Sequence, residues 1–382
     1  MKITDVEAIV LESPYENRPP EGSEEAHGVK HCLLVKVSTD EGITGWADVE
    51  TAPHMGPAGV NLPESGTTAF EGIRNLARGE DPFDVERLWD KVYRGTVYWG
   101  RRGIAIQLLS GLDIACHDII GKAIGRPLHK VLGGARRDRV RAYASTLFRS
   151  TPDDIRRACD FYRARGFTAI KFGYGVFGTD RKRDEALVAA AREALGPDVE
   201  LMVDAGWLVN RSAYDVIELL RRLEPYGIYW LEDALHPECY EAYARVREAG
   251  VRTRLAAGEQ EATAWGFHDL IRRGKIDVIQ PDISRCGGLS QMRKILWEAE
   301  RAGVDVCPHA WLTDLLTAAS LHVNACLPRS LFVEYNVCDN PMLREIIRNP
   351  VRMDADGNIP VPQGPGLGIE VDERAVEKFR IG

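Results

Sequence analysis

Seven side chains able to carry acid–base or metal chemistry stand at the ends of short apolar runs between residues 171 and 334. They are Lys171 after FTAI, Asp204 after ELMV, Glu232 after IYWL, Glu259 after RLAAG, Asp282 after DVIQP, His309 after VDVCP and Glu334 after LFV. The last six are separated by 28, 27, 23, 27 and 25 residues, close to the roughly 30 residues that a strand, a helix and their loops require. One acid at a strand end is ordinarily a turn residue, but six at this spacing imply a repeated unit that presents one polar side chain per strand. Asp204, Glu232 and Glu259 come from consecutive units and would converge on one point, where only a cation could neutralise them. An all-oxygen donor set suits Mg²⁺ better than Zn²⁺, which favours His and Cys.

The elements that position these groups follow from the same pattern. Eight strands are predicted near 139–145, 167–171, 200–204, 228–232, 253–258, 277–281, 304–308 and 331–334, alternating with helical spacing. Parallel strands arranged this way form a (β/α) barrel whose C-terminal strand ends surround a single mouth. Thr151-Pro152-Asp153-Asp154 supplies an N-cap, a first-turn proline and acidic residues for the helix after the first strand. Upstream, 2–12 and 31–50 alternate apolar and polar residues about the turn Thr39-Asp40-Glu41-Gly42, and 66–123 takes helical spacing. The expected division is an α+β unit over 1–125, a barrel over 126–335 and a Gly/Pro-rich tail, 336–382, packing back on the first unit.

Composition narrows the partners. A length of 382 residues suits a barrel of about 200 to 250 residues plus a second unit. A net charge of −8 argues against a nucleic-acid partner, which selects a basic face. No uninterrupted apolar run reaches the roughly 20 residues that span a bilayer, and the start MKITDVEAIV has no signal-peptide character, so a cytoplasmic protein is expected. Eight cysteines are scattered singly, with neither zinc nor disulfide spacing. Gly173-Tyr-Gly175-Val-Phe-Gly178 is superficially a dinucleotide-binding fingerprint. Its third glycine precedes the helix rather than packing it, so an NAD-dependent oxidoreductase is the weaker reading.

The motifs VDAGW, WLED, AAGEQ, QPDISRCGG and CPHAW, with the meander STDEGITGWADVE, resemble the enolase superfamily, in particular its mandelate racemase subgroup. The resemblance spans nearly the whole chain and implies an α/β fold, a modified (β/α)7β TIM-like barrel with an α+β N-terminal capping domain. It implies Mg²⁺ held by Asp204, Glu232 and Glu259, with His309 as the base and Asp282 as its partner in a dyad. Glu334 matches the acid that hydrogen-bonds the substrate carboxylate and would have to be protonated to do so. The subgroup usually carries Lys-x-Lys at the second barrel strand, whereas this chain has Lys171-Phe172-Gly173 and so lacks the second lysine.

Racemisation needs a base on each face of a planar intermediate, so the missing lysine turns the reading toward elimination. His309, with an ordinary pKa of about 6.5, can take the proton next to a carboxylate and return it to a departing β-hydroxyl on the same face. The expected activity is an acid-sugar dehydratase making a 2-keto-3-deoxy product from an aldonate or aldarate. A 2-hydroxy-acid racemase or epimerase using Lys171 is the alternative, and a non-catalytic binding protein a further one. Lys171 is expected either to orient a metal-bound carboxylate or to act as a second acid in the space left by Gly173; Tyr174 is a further candidate. The polar loop 13–30, with Glu16, Arg18, His27 and Lys30, and the segment Tyr98–Arg102 are expected to close over a polyhydroxylated chain. The partner is thus a small sugar carboxylate, with homo-oligomerisation expected.

Overall fold

The three strands of the N-terminal meander, β1 (Ile3–Pro14), β2 (Val29–Thr39) and β3 (Thr44–Val49), pair antiparallel in the order β1-β2-β3. The β2–β3 turn passes through Gly42 at φ 76°, the left-handed conformation that the turn sequence predicts. These coordinates come from a computed structural model that describes residues 1–16, 28–64, 66, 69–207 and 210–382. Most of the loop expected to cover the substrate, including Arg18 and His27, lies outside the described residues.

The barrel strands are β4 (Arg139–Leu147), β5 (Ala169–Gly173), β6 (Glu200–Asp204), β7 (Trp230–Glu232), β8 (Arg254–Ala257), β9 (Val278–Ile279), β10 (Asp305–Val306) and β11 (Val333–Asn336). Each starts within two residues of its predicted position. They are parallel, pair in sequence order, and β11 returns to β4 with Val333 opposite Ala142. Between β10 and β11 no ladder forms among the described residues. That seam is stitched instead by the Cys307 thiol donating to the Phe332 carbonyl at 3.4 Å and by Ala310 N–H donating to Glu334 Oε2 at 2.7 Å.

The barrel is plugged rather than hollow. Tyr143, Ala169, Met202, Trp230, Ala256, Val278, Cys307 and Phe332, one from each strand position, form a separate buried cluster inside it. The rings of Tyr143, Trp230 and Phe332 meet edge to face at 5.9 to 6.2 Å. Side chains on a strand repeat with period two. The residues two further along therefore point the same way, above the plug: Lys171, Asp204, Glu232, Gln280, His309 and Glu334 all occupy such positions.

The Ile104–Ala123 helix packs beneath the meander. By length and composition alone it could cross a membrane, although Asp113, His117 and Asp118 interrupt its apolar run; 89% of its apolar window is buried within the protein, as in a core helix. Two of those polar groups tie the helix to a barrel helix, the meander and the tail. Asp113 accepts from Ser290 N–H at 3.1 Å, and Asp118 accepts from Trp46 N–H at 3.2 Å and Leu367 N–H at 2.9 Å. The tail reaches the barrel as well as the first unit. Within it, β12 (Asn358–Pro360) pairs antiparallel with β4, whereas the Glu373–Phe379 helix lies on β1, and Ile381 N–H donates to the Val10 carbonyl at 3.0 Å.

The plug is the element on which the mouth rests. Trp230→Ala is expected to lower stability by about 3–5 kcal/mol, read as a lower denaturation midpoint with an unchanged denaturant slope.

Candidate active site

Strand register brings the acids together. Asp204 on β6 lies opposite Glu232 on β7, and Glu232 opposite Ala256 on β8, three residues before Glu259. All three carboxylates are buried. Trp230, two residues before Glu232 on the same face, donates from Nε1 to Glu232 Oε2 at 2.9 Å. Asp204 accepts from Gly206 N–H at 2.9 Å, and Glu259 accepts from Tyr174 O–H at 3.1 Å and Gln260 Nε2 at 2.8 Å. Burial pushes Asp204 well above the carboxylate range, and the charges of Glu232 and Glu259 push it further while Lys171 opposes them. Asp233, a buried neighbour held at φ 45°, is raised by its burial and by Glu259, Asp204 and Glu232. Sequence reasoning passed over Asp233, although it is the second acid of WLED.

His309 is gripped at both ring nitrogens. Nδ1 lies 2.7 Å from Asp282 Oδ2, and Nε2 lies 3.1 Å from Glu259 Oε2 and 3.8 Å from Glu334 Oε2. Burial alone would lower its pKa, but Glu259, Glu334, Glu50 and Asp282 hold it well above 6.5. Asp282 is itself fixed from the N-terminal unit. Glu50, at the end of β3, donates its N–H to Ser284 Oγ at 3.0 Å, and Ser284 O–H donates to Asp282 Oδ1 at 2.6 Å. Arg285 then pairs with Glu50 Oε1 at 2.9 Å and donates to the Glu259 carbonyl at 3.1 Å. Asp48 accepts from Thr313 N–H at 2.9 Å and O–H at 2.6 Å, and burial pushes it up to about 7. Glu50, Ser284 and Arg285 were not foreseen. Ser284 and Arg285 lie in the ISRC segment directly after Asp282, and Glu50 closes the motif STDEGITGWADVE.

Lys171 is buried, with Nζ 2.6 Å from Glu232 Oε1 and 3.0 Å from Glu334 Oε1. Burial favours the neutral amine, but the two carboxylates outweigh it and hold the ammonium form. The space expected beside Gly173 is already filled: a Cβ there would lie 2.8 Å from Asp204 Oδ2. Lys171 turns toward Glu334 instead. Glu334 also differs from expectation, because a protonated carboxyl is not what its surroundings favour. Burial would raise it, yet Lys171, His309, Ala310 N–H and Ser145 O–H together bring it down to about 2. Tyr174, at φ 46°, crosses to Glu259, and burial raises its phenol so that it stays a donor.

The glycine-rich loop does not receive a phosphate. The helix after it begins at Arg181, and Asp180 already accepts from the N–H groups of Lys182 and Arg183 at 2.9 and 3.0 Å; a second anion there would be repelled. Among the described flanking residues, Lys30 lies 5.8 Å from the Trp311 ring and Arg102 pairs with Glu238 at 2.7 Å.

Of the expected metal ligands, Glu232 and Glu259 face Lys171 and His309, and among the described residues Asp204, Glu232 and Glu259 do not form a group with one ligand atom each within 4.8 Å; Asp204 and its neighbour Asp233 are the acids left open to a cation. Among the described residues no ion pair reaches Asp204 or Asp233, and buried Asp233 Oδ2 has no hydrogen-bond partner. Among the described residues it is Glu50, Asp282 and His309 that bring one ligand atom each within 4.8 Å of one another. In that group Nδ1 is already bonded to Asp282 and Glu50 Oε1 to Arg285, which orients the imidazole, while buried Glu50 Oε2, like Asp233 Oδ2, has no hydrogen-bond partner among the described residues.

Two family models and several known proteins match the chain. Residues 5–133 match the family described as the mandelate racemase / muconate lactonizing enzyme N-terminal domain, and 153–375 match the enolase C-terminal domain-like family. The chain is similar to D-galactarolactone cycloisomerase of Agrobacterium fabrum (strain C58), with 35% identity over 403 residues, covering 100% of this chain and 99% of that one. D-galactonate dehydratase of Ralstonia pickettii is 32% identical over 357 residues, 90% of each chain. The crystal structure of 3,6-anhydro-D-galactonate cycloisomerase from Zobellia galactanivorans superposes with a TM-score of 0.89 at 27% identity, covering 100% of both chains.

The Arg285–Glu50 pair should behave as a buried couple. Arg285→Met is expected to cost about 3–5 kcal/mol by leaving Glu50 unpaired. The double variant with Glu50→Gln should recover part of that loss in a denaturation cycle; additive losses would contradict the coupling.

Proposed function

This chain belongs to the mandelate racemase / muconate lactonizing enzyme family, and on that premise we infer that it is a Mg²⁺-dependent acid-sugar dehydratase. An aldonate or aldarate loses its α-proton and β-hydroxyl as water and becomes a 2-keto-3-deoxy acid. One observation carries the reading: the mouth holds a single oriented base, His309, and a lysine clamped between Glu232 and Glu334 that cannot serve as the second.

Asp204, Glu232 and Glu259 would hold the Mg²⁺, with Asp233 beside them. When bound, the ion would draw off the negative charge that builds on the substrate carboxylate as the α-proton leaves. Asp282 accepts the Nδ1 proton and so leaves Nε2 of His309 as the atom that takes the substrate proton. The imidazolium then returns that proton to the β-oxygen on the same face. The C–O bond breaks with its electron pair going to oxygen, the new C=C bond forms from the C–H pair, and the enol becomes the ketone. Lys171 and the ionised Glu334 stay paired beneath the substrate and fix Glu232.

A second reading rests on the two cycloisomerases among the similar proteins. If the departing β-oxygen belongs to a ring, the same proton transfers open the ring and no water is lost. Racemisation is disfavoured because Lys171 is held as an ammonium ion and the place of the second lysine is taken by Asp204.

A panel of aldonates, aldarates and their lactones, incubated with Mg²⁺ and again after chelation, is expected to give a metal-dependent 2-keto-3-deoxy product lighter by one water. A product of unchanged mass from a lactone would support ring opening instead. Deuterium entry with inversion and no keto product would sink both. His309→Ala should lower kcat by about 10²–10⁴-fold.

The pH profile follows from the same contacts. The proton must leave His309 before it can act, so kcat/KM should rise with pH. Because Glu259, Glu334 and Glu50 favour the imidazolium, the midpoint should lie above about 6.5, and Asp282→Asn should move it down.

A further inference from the structure

Gln280 is the residue of the mouth that the proposed chemistry leaves unused. It follows β9 and is buried to 1% exposure. Val278 belongs to the plug and Ile279 to the outer core, so the period of two turns Gln280 inward, above the plug. Continuing the strand register, it stands level with Gly258 on the preceding strand and Cys307 on the following one; Glu259 comes directly after the first and His309 two residues after the second. Its backbone N–H is engaged in the barrel, donating to the Ala257 carbonyl at 2.9 Å. The side-chain amide is not: among the described residues neither Oε1 nor Nε2 has a hydrogen-bond partner.

A buried amide lacking both its donor and its acceptor contacts is costly, and a fold keeps one only where something else completes it. The chemistry of the amide restricts what that something is. Nε2 needs an acceptor and Oε1 needs a donor. A carboxylate accepts only and would leave Oε1 unmet, and an aromatic ring satisfies neither atom. A hydroxyl group does both, and two adjacent hydroxyls can meet both atoms at once.

Resting on the dehydratase reading, we propose that Gln280 is a substrate-binding and specificity-determining residue that takes hydroxyls of the sugar chain between the metal-ligand acids and the base. Selection of polyhydroxylated acids over simple 2-hydroxy acids is then built into the barrel wall itself, independently of the loops that cover the mouth. A site built to hydrogen-bond a hydroxyl discriminates strongly against an analogue that lacks it, because the protein's own polar atoms are left unpaired.

Gln280→Met tests this, since methionine keeps the length and removes the amide. Two readouts are needed. In ligand-free protein the variant should melt about 1–3 °C higher than wild type, because a buried amide without partners has been removed. On D-galactonate and D-gluconate it should lose about 10- to 100-fold in kcat/KM. The parent protein should distinguish at least one monodeoxy analogue from its parent acid by a similar factor, and Gln280→Met should not. Gln280→Asn, which keeps the amide on a shorter stem, should recover part of the discrimination.

A melting temperature that falls in Gln280→Met would overturn the proposal, because the amide would then already be satisfied without substrate, as by an ordered water. Unchanged discrimination among the deoxy acids would overturn it equally. If neither acid is turned over by wild type, the dehydratase reading has failed on these probes. The melting comparison still decides whether the amide is unmet in the folded protein.

Discussion

The structure depends on the burial of more negative charge at one place than its own cations can neutralise. Asp204, Glu232, Asp233, Glu259, Asp282 and Glu334 all stand buried at the mouth of the barrel. Lys171, His309 and Arg285 each reach part of that cluster. Isolated buried carboxylates would simply take up protons. Here the cluster is divided: Glu334 and Glu259 are drawn down by their cationic partners, whereas Asp204 and Asp233 are driven up by their neighbours. The driven-up side is where the proposed divalent ion would be accommodated, and Glu259, drawn down by His309 and Arg285, stands between that side and the proposed base.

Everything beneath and around the mouth serves to hold that division. The aromatic plug fixes the height of the barrel wall, and Trp230 extends from it to orient Glu232. The N-terminal unit reaches the dyad through Glu50, which bonds Ser284 and through it Asp282, so the meander sheet helps to orient the imidazole proposed as the base. Among the described residues the seam between β10 and β11 carries no ladder, and there the backbone N–H of Ala310 bonds Glu334 instead of another strand.

Much of this was legible in the sequence for a physical reason. Strand residues repeat with period two and parallel strands end at one mouth, so an acid after each apolar run predicts both the barrel and the gathering of Asp204, Glu232, His309 and Glu334 above its plug. What could not be read depends on contacts between distant elements. Gly173 reads as empty space until Asp204 is seen to fill it. The ionised state of Glu334 depends on Ser145, Lys171 and Ala310, from three different parts of the chain. Glu50 and Ser284 are 234 residues apart. Gln280, by contrast, was within reach: it stands two residues before Asp282 on a strand whose inward positions were already predictable.

The most direct test of the central claim is a count of divalent ions by electron paramagnetic resonance, titrating Mn²⁺ into the chelated protein and displacing it with Mg²⁺. One tight site per chain is predicted, abolished in Asp204→Asn and kept in Glu50→Gln. Loss of the site in Glu50→Gln with retention in Asp204→Asn, or no tight site at all, would contradict the account.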